Sequence, residues 1–153
     1  MASFQSTRRN LPHWQQPGST YFLTWRVKGD QHLSPQERSM VLETLLYWQE
    51  VKWTVYAAVV MPNHVHVLAQ PLTLTEGQAI NLSQIIHSVK TYSARTINGQ
   101  RGEPGSLWQD ERHDRIVRNE GEFLEKWQYI RNNAVVKGLA ATPEEYPWLY
   151  EKG

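Results

Sequence analysis

The chain has 153 residues, of which 40% are hydrophobic, and its formal net charge is +1. This length predicts one domain over 1–153, with enough apolar side chains for a core. It has no cysteine, which excludes disulfides, thiolate nucleophiles and Cys-based metal sites and favours a cytoplasmic location. No apolar run approaches the roughly 18 residues that span a bilayer, and the start lacks the apolar stretch of a signal peptide. We therefore expect no membrane partner.

The first half of the chain predicts two strands around a helix. An N-terminal arm over 1–19 leads into a segment rich in β-branched and aromatic residues, Thr20 to Val27, which predicts a strand. Ser34 to Glu37 has the pattern of a helix start, with serine as the N-cap and proline in the first turn. Apolar residues continue with helical spacing to Trp48. Trp53 to Val60 predicts the second strand.

The second half repeats this mixture of elements. After a break at Pro62 and Asn63, His64 to Gln70 alternates as a third strand. The residues between Leu82 and Ile97 carry the apolar stripe of a helix, and Asn98 to Ser106 has the composition of a loop.

The last third predicts one more strand and one more helix. Leu107 to Arg118 is ambiguous, and we assign its second half to a strand. Asn119 to Asn133 predicts a helix capped by Asn119. Residues 140–153 predict an irregular tail that packs its aromatic side chains on the domain. This order of elements, with two strands joined by a tight break, favours an α+β fold with helices on an antiparallel sheet.

The candidate chemistry begins with two histidines in the third predicted strand. Side chains at i and i+2 point to the same face of a strand, so His64 and His66 lie side by side and can close on one ion. Val65 and Val67 point the other way, into a core. Two histidines alone do not make a catalytic metal site, and an amphipathic strand with hydrogen-bonded histidines has the same pattern.

Two regions could supply a third ligand. Gln70 and Gly77 loosely resemble the spacing that follows the histidine pair in cupin barrels, but this chain devotes too much of its length to helices for a cupin. The last predicted helix is the other region. Tyr129 and Asn133 are i,i+4 neighbours, roughly opposite the apolar side that contains Trp127. They could stand over a metal ion, although a half-exposed tyrosine is also common.

The sequence resembles the single-tyrosine HUH transposases, and especially the REP-associated tyrosine transposases. HUH denotes histidine, apolar residue, histidine, which His64 to His66 match. The resemblance covers most of the chain, and five segments carry it in the same order as in the family: RRNLPHWQQPGSTYFLTWRV, MPNHVHVL, SQIIHSVKTYSARTIN, LWQDERHDRIVR, and YIRNNAVVKGL followed by YPW.

The resemblance implies a fold, a site and a reaction. The fold would be ferredoxin-like, with the histidine strand at the centre of its antiparallel sheet. His64, His66 and Asn133 would bind Mg²⁺ or Mn²⁺, and Tyr129 would be the nucleophile. The protein would be a metal-dependent endonuclease and strand transferase, a transposase that acts on single-stranded DNA beside a hairpin through a 5′-phosphotyrosine. It would be a monomer or a homodimer.

Such a substrate requires cations for its phosphates and aromatic rings for its bases. The candidates for stacking are Trp14 and Trp108, and the candidates for phosphate contacts are Arg8, Arg9, Lys90, Arg95, Arg112 and Arg115.

Two positions depart from the family pattern. Ala134 stands where the family often has proline, which could let the last helix run on. His113 stands where an aromatic residue is common, and a surface histidine is the simpler interpretation than a spare ligand. Two other functions stay open, a domesticated protein that binds DNA or RNA hairpins without cutting them and a metal-binding protein of unrelated function.

Overall fold

The structure is a computed structural model that describes residues 6–7 and 15–153. The predicted contacts Arg8, Arg9 and Trp14 lie outside the described residues. Six strands form one antiparallel sheet in the described part of the chain, which confirms the predicted α+β class. The sheet order is β1-β5-β2-β4-β3-β6. The strands are β1 (Ser6–Thr7), β2 (Thr20–Arg26), β3 (Trp53–Val60), β4 (His64–Pro71), β5 (His113–Val117) and β6 (Leu149–Glu151).

The histidine strand β4 lies in the middle of the sheet, between β2 and β3, as the resemblance implies. Antiparallel pairing sets Arg26 opposite His64 and Thr24 opposite His66. A register shift between Val55 and Ala57 interrupts the pairing of β3 with β4. Because directly paired residues share a face, this register determines which side chains surround the two histidines.

One face of the sheet carries the larger core, under helices α1 (Pro35–Tyr47) and α2 (Leu82–Arg101). Helix α1 begins at Ser34 with the predicted capping box, in which the hydroxyl of Ser34 accepts from the backbone of Glu37 and the carboxylate of Glu37 accepts from the backbone of Ser34. Val41 and Leu45 of α1 pack with Ile85 and Ile86 of α2 against the strands.

Helix α3 (Glu120–Val136) covers the other face with a smaller apolar cluster. Its N-cap is Asn119, as predicted, whose side-chain oxygen accepts from the backbone of Glu122. Ile130 and Ala134 are buried against β3, Leu68 of β4 and Tyr146. With alanine at 134 the helix continues to Val136, which is where a proline would have broken the backbone hydrogen bonding.

Three boundaries differ from the predictions. Helix α2 runs through Asn98 and Gly99 and ends only at Gly102, whose left-handed φ of 68° suits a C-cap, so the predicted loop starts four residues late. The tail 140–153 is not irregular, because it forms a short 3-10 helix (Pro143–Glu145) and β6, which pairs with β3. The packing of its aromatic residues is confirmed, since Tyr146 is buried and Trp148 packs on both cores. None of the helices in residues 15–153 is long and apolar enough to cross a membrane.

Candidate functional site

The two histidines share the α3 face of β4, as the alternation predicts. Their ring centroids are 4.8 Å apart, and only 5% of His64 and 4% of His66 is exposed. Val65 and Val67, between and after them, belong to the core on the opposite face. The pair is therefore a buried polar feature of the central strand, and buried imidazoles need partners.

Each imidazole is oriented by one hydrogen bond to its Nδ1 atom. Thr24 Oγ1 lies 2.8 Å from Nδ1 of His66, and Asn63 Oδ1 lies 2.6 Å from Nδ1 of His64. An amide oxygen only accepts, so the contact with Asn63 favours the tautomer of His64 that carries its proton on Nδ1. These bonds leave Nε2 of each ring as the atom that can bind a metal ion, which is a common arrangement around metal-binding histidines.

Both histidines are neutral at pH 7. Burial lowers the pKa of His64 to about 4, and the charges of Arg26 and Lys137 lower it further. Burial also lowers the pKa of His66 to about 3, with additional contributions from His64 and from the cations that include Lys126. Since a metal ion binds only the neutral imidazole, both side chains are in the form that coordination requires.

Helix α3 brings Tyr129 and Asn133 to the histidines of the same chain. The ring centroid of Tyr129 is 5.2 Å from that of His66, and 51% of the tyrosine is exposed. Asn133 is 4% exposed, one turn further along the helix. Its proximity to His64 favours the protonated imidazole, although no well-formed hydrogen bond reaches its Oδ1 atom from the described residues.

This donor set is suited to a divalent ion. Two Nε2 atoms face a buried amide oxygen that has no hydrogen-bond partner in residues 15–153, and an unsatisfied buried acceptor normally indicates a missing ligand, ion or water. Among the described residues there is no group of three or more His, Cys, Asp or Glu side chains that could hold a metal ion. The histidine pair with Asn133 is therefore the candidate metal site, with His64 and His66 as its nitrogen ligands.

Two residues of β2 complete the surroundings of the site and were missed by the sequence analysis. Phe22 stacks on His66, with ring centroids 5.4 Å apart, and meets the edge of Tyr129 at 5.9 Å. Thr24 holds His66 as described above. The period-two pattern of β2 contains the signal, because Phe22, Thr24 and Arg26 share one face, but it becomes readable only when the pairing with β4 is known.

A pocket of about 290 Å³ opens beside His64 and Tyr129. Arg26, His32 and Lys137 also line it, and none of its lining residues is an aspartate or a glutamate. The proposed nucleophile thus stands at the edge of a pocket with positive charge.

Three of the predicted phosphate contacts, Lys90, Arg95 and Arg112, line a larger groove of about 690 Å³ along α2. Arg95 is exposed. The Nζ atom of Lys90 donates to the carbonyl of Gln109 at 2.7 Å, and burial lowers its pKa. Arg112 is buried in an ion pair with Asp114 at 2.8 Å. Arg95 is therefore the member of this set whose charge is most open to a ligand.

The remaining predicted residues fall in different surroundings. Arg115 is partly exposed on β5, 3.9 Å from Glu122. The interpretation of Trp108 as a stacking platform is wrong, because it is 5% exposed and its Nε1 donates to Ser93 Oγ in the larger core. His113 is exposed and pairs with Thr24, which places it two strands, about 10 Å, from His66.

Comparisons with known proteins agree with this arrangement. The family model described as "Transposase IS200 like" matches residues 18–133. A solved structure of a REP-associated tyrosine transposase bound to a REP hairpin is 18% identical, with a TM-score of 0.76 over 92% of this chain and 81% of that chain. A crystal structure of a protein from Deinococcus radiodurans R1 is 21% identical, with a TM-score of 0.49 over 78% of this chain and 97% of that chain. No curated protein matches the chain.

Proposed function

Because the chain belongs to the IS200-like transposase family, we propose that it is a metal-dependent endonuclease and strand transferase for single-stranded DNA. It would cut beside hairpins through a covalent 5′-phosphotyrosine. The observation that carries this proposal is the meeting of Tyr129, Asn133 and the two histidines within one chain, with the tyrosine ring 5.2 Å from that of His66. A phenol beside a candidate metal site is the minimum that such a reaction requires.

In the proposed reaction the hydroxyl of Tyr129 attacks a phosphodiester. A bond forms between its oxygen and phosphorus, and the bond from phosphorus to the 3′ oxygen breaks. The phenol loses its proton and the departing 3′ oxygen gains one, so the products are a 5′-phosphotyrosine and a 3′-hydroxyl. The phosphodiester is exchanged rather than hydrolysed, so a second 3′-hydroxyl can reverse the step and join two strands.

The proposed ligands of Mg²⁺ or Mn²⁺ are His64, His66 and Asn133. When bound, the ion would neutralise charge on a non-bridging phosphate oxygen and fix the phosphorus in line with the tyrosine. Thr24 and Asn63 orient the two imidazoles for this task. Magnesium prefers oxygen ligands throughout, and this set supplies two nitrogens, so we expect Mn²⁺ to support the reaction better than Mg²⁺.

The hairpin in the proposal comes from the structural relative, which is bound to a REP hairpin. The groove along α2, with Arg95 exposed and Lys90 at its wall, is the surface that we assign to duplex phosphates. It is lined by α2 and lies away from Tyr129, so a folded hairpin and the strand to be cut would occupy separate surfaces.

The decisive experiment is a covalent-adduct assay. The protein is incubated with labelled oligonucleotides that carry a single-stranded segment beside a hairpin, with Mn²⁺, and the products are separated on a denaturing gel. We expect a slow-migrating adduct that disappears in Tyr129→Phe. The Tyr92→Phe variant is a matched control, because Tyr92 is also exposed but lies on α2. An adduct that persists without the hydroxyl of Tyr129 would disprove this assignment.

The same assay decides between cleavage and simple binding, and between action within one subunit and action between subunits. Hairpin binding without an adduct under any divalent ion would favour the domesticated, non-catalytic alternative. Mixing Tyr129→Phe with His66→Ala restores activity only if one subunit's tyrosine serves another's histidines. The short distance within one chain leads us to expect no restoration.

A further inference from the structure

The pocket beside His64 carries positive charge that the proposed bond exchange does not use. Arg26 lines it from the end of β2, and Lys137 lines it from the end of α3. His32 contributes a third basic side chain, and carboxylates are absent from the lining. At about 290 Å³ the pocket is near the lower limit of small-ligand sites, roughly 300 Å³. This volume suits a phosphate with its sugar.

Neither Arg26 nor Lys137 is neutralised by the protein. Both are exposed, and neither forms an ion pair with a carboxylate in residues 15–153. Their charge reaches the histidines, because both residues lower the pKa values of His64 and His66. Two unpaired cations around a pocket without carboxylates produce a positive potential that attracts anions.

Two different elements hold these cations in fixed relation to the histidines. Arg26 is the direct strand partner of His64. Lys137 follows Asn133 by four residues, one helical turn, and its backbone N–H donates to the carbonyl of Asn133 at 3.1 Å. The cations therefore flank the candidate metal site on its His64 side.

A third cation lies on the opposite side of the site. The Nζ atom of Lys126 is 5.1 Å from the centre of the Phe22 ring, next to His66. The charge of Lys126 also lowers the pKa of His66. Lys126 and Lys137 are eleven residues apart in sequence, which is about 16 Å along α3.

We propose that Arg26 and Lys137 together hold one phosphodiester next to the one that is cut, on the His64 side. Lys126 contacts the strand on the His66 side, so that the strand crosses the site along α3. This subsite rests on the proposed function for its ligand, a single strand of DNA. It adds the direction of the strand and names the side chains that hold it in place while the bond is exchanged.

The test is the salt dependence of binding, measured by the fluorescence anisotropy of a labelled short oligothymidylate in EDTA. For single strands, the slope of log K against log salt changes by about 0.7 for each phosphate that is neutralised. We expect Arg26→Gln and Lys137→Gln each to weaken binding. The double variant should lose about 0.7 of the slope in total, because both cations share one phosphate.

The control is Lys52→Gln, whose amine lies over the ring of Trp48 near α1, 4.2 Å from the ring centroid. This variant should keep the wild-type slope. A double variant with an unchanged slope would overturn the subsite, and so would an equal change in the Lys52 variant. A loss of about 1.4 would overturn the sharing of one phosphate.

The measurement uses no metal and makes no bond, so it separates the subsite from the chemistry. A reduced slope without any adduct in the assay above would leave the subsite standing and reject the catalytic proposal. An adduct together with an unchanged slope would do the reverse. Wild-type protein that does not bind the oligothymidylate at all would overturn both.

Discussion

On the face under α1 and α2 the sheet buries 22 apolar residues in one cluster, whereas the face under α3 buries seven in the described part of the chain. The α3 face gives the remaining area to polar side chains, among them Thr24, His66 and Asn133. Burying polar groups contributes less to stability than burying apolar ones. One face therefore stabilises the domain, and the other holds the groups that do chemistry.

Helix α3 is consequently held by polar contacts at its outer side as well as by its small core. Arg131 forms ion pairs with Glu144 of the 3-10 helix and with Glu151 of β6. Trp127 donates from Nε1 to the same Glu151 at 3.2 Å. The tail of the chain thus fastens the helix that carries Tyr129, and the two faces should respond differently to substitution.

The largest effect should come from the larger core. Ile86→Ala should lower the free energy of unfolding by about 4 kcal/mol, and Ile130→Ala, in the smaller cluster, by about 2 kcal/mol, because the cost of a cavity depends on how densely its surroundings are packed. Both isoleucines are essentially buried, at 1% and 0% exposure. Urea denaturation measures both values. Equal losses would remove the energetic distinction between the faces.

The sequence predicted the larger core more completely than the site. Alternation in β2, β3 and β4 and helical spacing in α2 are local patterns, and their apolar residues are buried as expected. Capping at Ser34 and Asn119 is equally local. The site depends on contacts between distant elements. Phe22 and Thr24 are ordinary strand residues until the register places them beside His66.

The end of the chain shows the same limit. The strand β6 has only three residues, and its pairing with β3 makes it a strand. Loop composition around Asn98 favoured an end of α2 four residues too early, because Gly99 is tolerated inside the helix and Gly102 is its true cap. The predicted pairing of His64 and His66 required only a period of two and was confirmed.

The next effect concerns acid. Each histidine in the unfolded chain binds a proton below about pH 6.5, whereas in the folded protein this requires about pH 4 for His64 and about pH 3 for His66. The unfolded state therefore holds more protons between these values, so stability falls as the pH drops below 6.5. Between pH 7 and 4.5 we expect a loss of about 2 kcal/mol for each histidine.

Urea denaturation in EDTA across this pH range measures that loss, and the His64→Gln/His66→Gln double variant is its control. Carboxylates titrate in both proteins, so the difference between the two curves isolates the histidines. The wild-type curve should be steeper between pH 6.5 and 4.5. Parallel curves would mean that the imidazoles are not held neutral on this face.

A smaller effect should follow from loosening one imidazole. Thr24→Val keeps the shape of the side chain but removes the hydroxyl that lies 2.8 Å from Nδ1 of His66. Losing such an orienting partner typically weakens metal binding by about 10- to 100-fold. Calorimetric titration with Mn²⁺ measures this affinity. Thr54→Val is the control, because Thr54 lies on β3 and bonds to Glu50. Equal affinities in the two variants would remove Thr24 from the site.

The smallest effect on stability should come from the tail. Arg131→Gln breaks the partly exposed ion pairs with Glu144 and Glu151, and such pairs contribute about 1 kcal/mol or less. The rate of adduct formation should fall much more, because Tyr129 lies two residues away on the same helix and a displacement of about 1 Å can lower a rate by roughly 100-fold.

Arg118→Gln is the matched control for this variant. It breaks an ion pair with Glu122 at 2.7 Å at the start of α3 and leaves the contact between the helix and the tail intact. Both variants should unfold at nearly the same urea concentration, while only Arg131→Gln forms the adduct slowly. A common rate would mean that the small apolar cluster alone positions α3. A slower Arg131 variant would show that this face uses ion pairs to position its nucleophile, where the opposite face relies on apolar packing for stability.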